Sequence, residues 1–292
     1  ATIPSGFNIN VDANAFANNL NVNSPLNLTT GNLNFRGNLS LNAPVTLNAN
    51  NVNLKGKNAA ILNGNAINYL TTNGAGTVNV ENLNPTRGQV NLPIGTATNF
   101  NPITIENTGI SDTFSVNVQD GISNTTGGAV NATWNISEAI AGDSNVNVSF
   151  TWNQTQENGL FNRNTAAVGH YYNTTWNSES SSIVTGTNPY TISATNISSF
   201  SPFGVLNQSA LGNTSFTTVE ISIYPNPSNG NFTIQVPDSF IGSRAIIYNL
   251  LGQSIKEFSI DEVNQNTNLE KGVYLLQIQK GNQVSTKKII IQ

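Results

Sequence analysis

Apolar pairs separated by one polar residue recur through the first part of this chain at a near-constant period. The pairs are Leu20/Val22, Leu26/Leu28, Leu33/Phe35, Leu39/Leu41, Val45/Leu47 and Val52/Leu54, at successive spacings of 6, 7, 6, 6 and 7 residues. Three steps sum to 19. Sliding the chain by 19 places Asn23 on Asn42, Pro25 on Pro44, Asn32 on Asn51, Asn34 on Asn53, Gly37 on Gly56 and Arg36 on Lys55. Strand side chains alternate, so each pair turns two apolar groups inward and one polar group outward. The pattern predicts a parallel β-helix of 19-residue coils over residues 1–89, three short strands per coil, with coils about 4.8 Å apart. Asn, Gly and Ser in the turns suit left-handed backbone, and equivalent Asn side chains are expected to stack into amide ladders. The register extends backwards, with Phe7/Ile9 on Leu26/Leu28 and Phe16 on Phe35. It blurs after Gly56, where Ile61/Leu62, Ile67/Tyr69 and Val78/Val80 are expected to form a last irregular coil and cap. No capping element precedes Phe7 and Ala1 is not a start methionine, so further coils are expected upstream.

Residues 90–206 change pattern. ITIEN, TFSVNVQ, ATWNIS, VNVSFTWN, HYYNTTWN and YTISATNI alternate at roughly ten-residue spacing between turn clusters. This predicts an antiparallel sandwich, immunoglobulin-like. Blocks such as LPIGTATNFNPITIENTG resemble a sandwich domain that follows β-helical regions in flavobacterial surface proteins, a resemblance that implies no chemistry. Residues 207–217, NQSALGNTSFT, are small and polar and suit a linker. Residues 218–292 alternate again, predicting strands at Val219–Tyr224, Phe232–Val236, Ala245–Leu250, Ser254–Ile260, Val273–Ile278 and Val284–Ile291 in a small sandwich. The whole chain is therefore expected to be all-β.

The last segment carries four ordered motifs. Pro225, Asn226 and Pro227 lead to a turn at Gly230; Tyr248, Asn249, Gly252 and Gln253 make a hairpin. Gly272 and Tyr274 open the penultimate strand, and Lys287 and Lys288 lie in the terminal one. These blocks resemble the type A C-terminal sorting domain of type IX secretion cargo in Bacteroidota. The resemblance implies export through the outer membrane, to the surface or beyond. It also implies a PorV-type shuttle barrel and type IX translocon as partners, and a sorting peptidase cutting near residues 207–218. The two lysines then offer charges to that barrel; on local physics alone they are edge-strand residues that block aggregation.

Composition narrows the rest. Net charge is −4, 9% of residues are charged and 52 are Asn, so electrostatic steering is weak and no nucleic-acid partner is expected. Cysteine is absent, which excludes disulfides and thiolate metal sites. No apolar run approaches 18 residues. His170 is the sole histidine, so a His cluster is impossible and a triad would rest on GHYY alone. In residues 1–90 the only acids are Asp12 and Glu81; Asp12 has no acidic partner stacked on it in the repeat, so no paired-carboxylate constellation is visible. Arg36, Lys55 and Lys57 form a small basic stripe, read as a solvated face or a glycan contact. Asp112, Asp120, Glu138, Asp143 and Glu157 sit around sandwich loops without D-x-D-x-D spacing, so calcium is weighed but no cofactor is assigned. Trp134 and Trp152 fit core positions, and Trp176 is the exposed candidate for sugar stacking. The reading is a non-enzymatic cargo with an adhesin-like or structural stalk. The alternatives are the end of a carbohydrate-active enzyme whose catalytic module lies upstream, and a glycan-binding module.

Overall fold

The computed structural model describes residues 1–72, 75–125, 127–211, 221–280 and 283–292. The chain divides into two compact units, Ala1–Gly212 and Asn213–Gln292. Its regular structure is strand, with short 3-10 turns; no described helix is long and apolar enough to cross a membrane.

The first unit opens with a solenoid of about three turns. One face stacks Thr2–Ile3, Leu20–Val22, Asn38–Leu41 and Ala60–Leu62 in parallel. A second stacks Ile9–Val11, Leu26–Leu28, Val45–Thr46 and Leu70–Thr71. The third stacks Ala15–Ala17, Leu33–Phe35, Val52–Leu54 and Val78–Leu83. The central register is 19 residues on all three faces: Leu20 lies on Leu39, Leu26 on Val45 and Leu33 on Val52. The repeated Leu and Val fill the interior with almost no exposure, each stabilising by roughly 1.5–3 kcal/mol relative to water.

Polar ladders run along the outside. Asn53 donates to Asn34 Oδ1 at 2.9 Å and Asn79 to Asn53 Oδ1 at 2.7 Å. At one corner the backbone N–H groups of Asn32, Asn51 and Thr77 donate to the side-chain oxygens of Asn14, Asn32 and Asn51. Each corner Asn thus satisfies a backbone donor of the next coil, which a strand bend would otherwise leave unpaired. Glycine serves a different purpose from the left-handed turn expected of it. A Cβ on Gly31 would lie 2.0 Å from the Ala13 carbonyl oxygen, and one on Gly56 1.8 Å from that of Arg36. These glycines let successive coils touch.

The ends of the repeat depart from 19. Ile9 lies on Leu26 and Phe16 on Asn34, because the first coil has different turn lengths. Phe7 and Phe16 therefore face solvent, 59% and 74% exposed, and do not continue the inner rows. In the last coil the inward residue of the second face is Leu70, while Ile67 is exposed.

Val78–Leu83 belongs to two architectures. It pairs in parallel with Val52–Leu54 and antiparallel with Asp112–Asp120. The third solenoid face thereby runs on into a sandwich sheet through Ala132–Glu138, Pro202–Asn207, Ala166–Tyr172 and Thr175–Ser178. A second sheet faces it, ordered Val90–Leu92, Ile103–Asn107, Val146–Trp152, Tyr190–Ile197 and Thr185–Gly186. One hydrophobic core spans solenoid and sandwich. Trp134, Phe150 and Phe203 link the facing sheets, with centroids 5.1 and 5.8 Å apart. HYYNTTWN is a hairpin rather than one strand: Tyr172 pairs with Thr175, and Asn173 and Thr174 take positive φ at its tip. The expected linker is packed at its start, where Gln208–Ala210 forms a 3-10 turn and Leu211 is buried near Trp176 and Leu206. Its remainder lies outside the described residues.

Candidate functional site

The second unit is built from two sheets. Ser222–Tyr224, Asn231–Gln235 and Asn264–Asn268 form one; Ser254–Ser259, Arg244–Asn249, Gly272–Lys280 and Gln283–Ile291 form the other, in that order. Phe232, Ile234, Phe240, Ala245, Ile247, Ile260, Leu276, Ile278, Ile289 and Ile291 fill the space between them. The strand Asn264–Asn268 is wholly polar, NQNTN, and offers no apolar alternation that would mark it in the sequence. It pairs along its whole length with Asn231–Gln235.

Four distant motifs meet at one end of the larger sheet. Pro225 and Pro227 have no N–H and cannot extend a ladder. Between them the side chain of Asn226, which carries a donor and an acceptor like a peptide group, takes over that role. It donates to the Lys288 carbonyl at 2.7 Å and accepts from the Ile290 N–H at 2.9 Å. Ser228 continues the contact: its N–H donates to the Ile290 carbonyl at 3.0 Å, and Gln292 N–H donates to its carbonyl at 2.9 Å. Gly230 takes φ +112 as the chain leaves this turn.

The other motifs are held by local bonds. Asn249 closes the hairpin, its Oδ1 accepting from Leu251 N–H at 2.9 Å and Gln253 N–H at 3.0 Å, and its amide donating to Gln253 Oε1 at 2.8 Å. Gly252 sits at φ +78. Gly272 leaves room for the Tyr274 ring, since a Cβ there would lie 3.0 Å from Tyr274 Oη. That hydroxyl donates to the Glu270 carbonyl at 3.1 Å. Strand register then aligns the motifs in rows: Asn249, Tyr274 and Ile289 in one, Tyr248, Leu275 and Lys288 in the next.

Lys287 and Lys288 are both exposed, but consecutive strand residues point to opposite faces. Lys287 shares a side with Ile289 and Ile291, and Lys288 shares the outer side with Leu275. Beside Lys288 the outer surface is apolar, with Leu275 and Ile255 exposed and Leu250 and Leu251 at the hairpin tip. Further along the sheet Arg244 and Glu257 pair at 2.5 Å. The hydrogen bond from Arg244 holds the Glu257 carboxyl below its usual range, and the guanidinium is raised in turn.

The remaining sequence candidates resolve as structural groups. Trp176 is buried, 4% exposed, with Nε1 donating to the Ser123 carbonyl at 2.8 Å; it offers no stacking platform. Trp134 and Trp152 are core residues. His170 is buried, stacked on Phe203 at 4.5 Å with Nδ1 3.0 Å from Glu179. Lys55 pairs with Glu81 at 2.6 Å, which takes it out of the basic stripe and leaves Arg36 and Lys57. Four of the five loop acids, all but Asp143, are spent separately. Asp112 accepts from Thr113 and Ile140 N–H, Asp120 from Thr96, Thr98 and Asn99, and Glu138 from Gly142 N–H. Glu157 accepts from Trp152 and Arg163. Among the described residues no three His, Cys, Asp or Glu side chains gather as a metal site.

Residues 222–292 match the family described as secretion system C-terminal sorting domain. Beta-agarase A of Zobellia galactanivorans is 42% identical over 71 residues, which span 23% of this chain and 13% of that protein. The adhesin domain of Epf from Streptococcus pyogenes aligns with 65% of this chain and 79% of its own at 12% identity, with a TM-score of 0.20, too low to carry an argument. The C-terminal unit is a type IX sorting domain, and it marks the chain for export across the outer membrane to the cell surface or the medium.

Proposed function

We propose that a PorV-type shuttle barrel of the type IX machinery reads the end of the larger C-terminal sheet, and that the solenoid and sandwich it delivers serve as an adhesin-like or structural stalk. The observation that carries the reading of the tail is convergence. The P-N-P turn, the Y-N-x-x-G-Q hairpin, the G-x-Y strand and the terminal lysine strand lie up to 64 residues apart in sequence yet adjoin in space. A surface assembled from all four is available only in the folded unit. The Lys288 charge beside exposed Leu275, Leu250 and Leu251 suits a partner that is both apolar and acidic. The tail similarity to beta-agarase A stops at the tail, which supports an address borne by bodies of different kinds.

The stalk reading rests on the body. Its solenoid is laced by amide ladders, and Glu81, Asp112, Asp120 and Glu157 of the body are engaged in separate local hydrogen bonds or ion pairs. The body is accordingly read as non-enzymatic. Cleavage by a sorting peptidase is proposed near residues 207–218, and the burial of Asn207 and Leu211 favours a cut beyond Leu211. Deleting residues 218–292 tests the address: the truncated protein is expected to stay inside the cell, and normal surface display would refute it. A glycan array probed with residues 1–212 tests the body against the glycan-binding alternative.

A further inference from the structure

The terminal strand Gln283–Ile291 is an edge strand. Its outward backbone groups are identified by what already bonds to them: the carbonyl of Lys288 and both groups of Ile290. Alternation along an antiparallel strand then turns the N–H of Lys288 and both backbone groups of Thr286 to the same side. Among the described residues, only Asn226 and Ser228 bond to this edge, and they stop at Lys288. Pro225 prevents the cap from extending further. No described residue bonds outward to the stretch from Gln283 to Lys287, about 17 Å at the usual rise per residue.

Resting on the reading of this unit as a sorting signal, we infer that the open edge is a strand-addition site. An extended segment of the shuttle barrel pairs with the backbone of Thr286 and Lys288 and, to lengthen its ladder, competes with the side chain of Asn226. The edge already accepts a strand-like partner, since Ser228 bridges Ile291 in parallel. Pairing geometry is therefore in place at one end. A second copy of this chain is disfavoured as the occupant, because edge-to-edge pairing would bring the Lys287 and Lys288 charges of both copies together. A heterologous strand bears no such cost.

Thr286→Pro removes one outward N–H while leaving the ladder to Gly272–Lys280 on the other side intact. Thr286→Ala keeps the backbone and changes only an exposed side chain. Binding of the full chain to purified shuttle barrel in detergent is measured for both, with thermal unfolding as the fold check. T286P is expected to lose about tenfold or more in affinity, with T286A unchanged. N226A, which opens the cap, is expected to bind more tightly. Should T286P not fold, Lys288→Pro takes its place, and should neither fold, N226A decides alone. Equal binding by a folded T286P, or weaker binding by N226A, overturns strand addition. The chain lacking residues 218–292 separates the two ideas. If it loses binding while T286P keeps it, only the edge mechanism fails. If it keeps binding, the sorting reading fails and the edge proposal with it.

Discussion

The side-chain amide of Asn226 stands in for a strand residue against Ile290, accepting its N–H at 2.9 Å while donating to the carbonyl two residues earlier at 2.7 Å. A proline on either side, neither with an N–H to donate, leaves this pairing to the Asn226 side chain, before Ser228 resumes it through the backbone. Asn226→Ala removes two hydrogen bonds at an exposed site, and a loss of about 1–2 kcal/mol is expected. Asn226→Asp keeps the acceptor but sets a carboxylate against the Lys288 carbonyl, so it should cost at least as much above the carboxylate pKa. Denaturant unfolding checks the stability, and faster amide exchange at Ile290 locates the effect.

Lys287 and Lys288 face opposite sides of one strand. A partner docking flat on the outer face meets Lys288 beside Leu275, not Lys287. Lys288→Glu is expected to weaken capture by the shuttle barrel, Lys287→Glu to leave it near wild type, and the double variant to match K288E. Equal effects of the two single changes would place the contact on the strand edge alone.

Gly56 is where two coils touch. A Cβ there meets the Arg36 carbonyl oxygen at 1.8 Å, and backbone on both sides cannot yield cheaply. Gly56→Ala is expected to destabilise the first unit by about 1–3 kcal/mol, as overpacking does. Gly88→Ala has open space around it but a φ of +67, so its cost is backbone strain alone, near 1 kcal/mol. Urea unfolding of the two variants measures the difference.

Trp176 is a wall of the sandwich and not a platform for sugar. Trp176→Ala is expected to cost about 3–5 kcal/mol by emptying the space it shares with Leu206, Leu211 and Tyr171. Trp176→Phe should recover much of that, less the bond to Ser123. A variant that lost glycan binding with unfolding unchanged would reverse this assignment.

The Arg244–Glu257 pair gives a pH dependence of known sign. Its folded carboxyl pKa lies below the unfolded one, so the pair contributes stability above the unfolded pKa and loses it as pH falls through the folded value. Both side chains are about half exposed, so the effect is small. The melting-temperature difference between wild type and Arg244→Ala should be largest near neutral pH. It should shrink as acid protonates Glu257, and shrink at high salt.

Much of the solenoid was legible because its order is local in period. A coil repeats every 19 residues, so each Leu, each outward Asn and each touching Gly recurs at a fixed offset. Strand alternation converts that offset into inside and outside. The signal failed where turn lengths changed, at Phe7, Phe16 and Ile67. A shift of one or two residues in the turns moves a side chain from core to solvent without altering its identity. Gly31 and Gly56 show a subtler limit. Their positions were evident, but the reason was the closeness of the next coil, not the angle of their own turn.

The tail's four motifs were visible as a resemblance, and its apolar strands as alternation. Asn264–Asn268 was invisible, since its pairing is carried by backbone and its side chains have no apolar face. Trp176 looked exposed by its neighbours in sequence and is buried by Gly204, Gly169 and the 3-10 turn that ends in Leu211.

The chain alone determined an all-β body with a stacked repeat, because period and alternation are properties of consecutive residues; its terminal address was legible only as a resemblance carried by four short motifs. Only the tertiary structure decided that Val78–Leu83 ties solenoid to sandwich, and that Asn226 caps the strand containing Lys288. Those contacts join residues tens of positions apart, and what selects them is the unpaired backbone left at a strand edge, which no local pattern records.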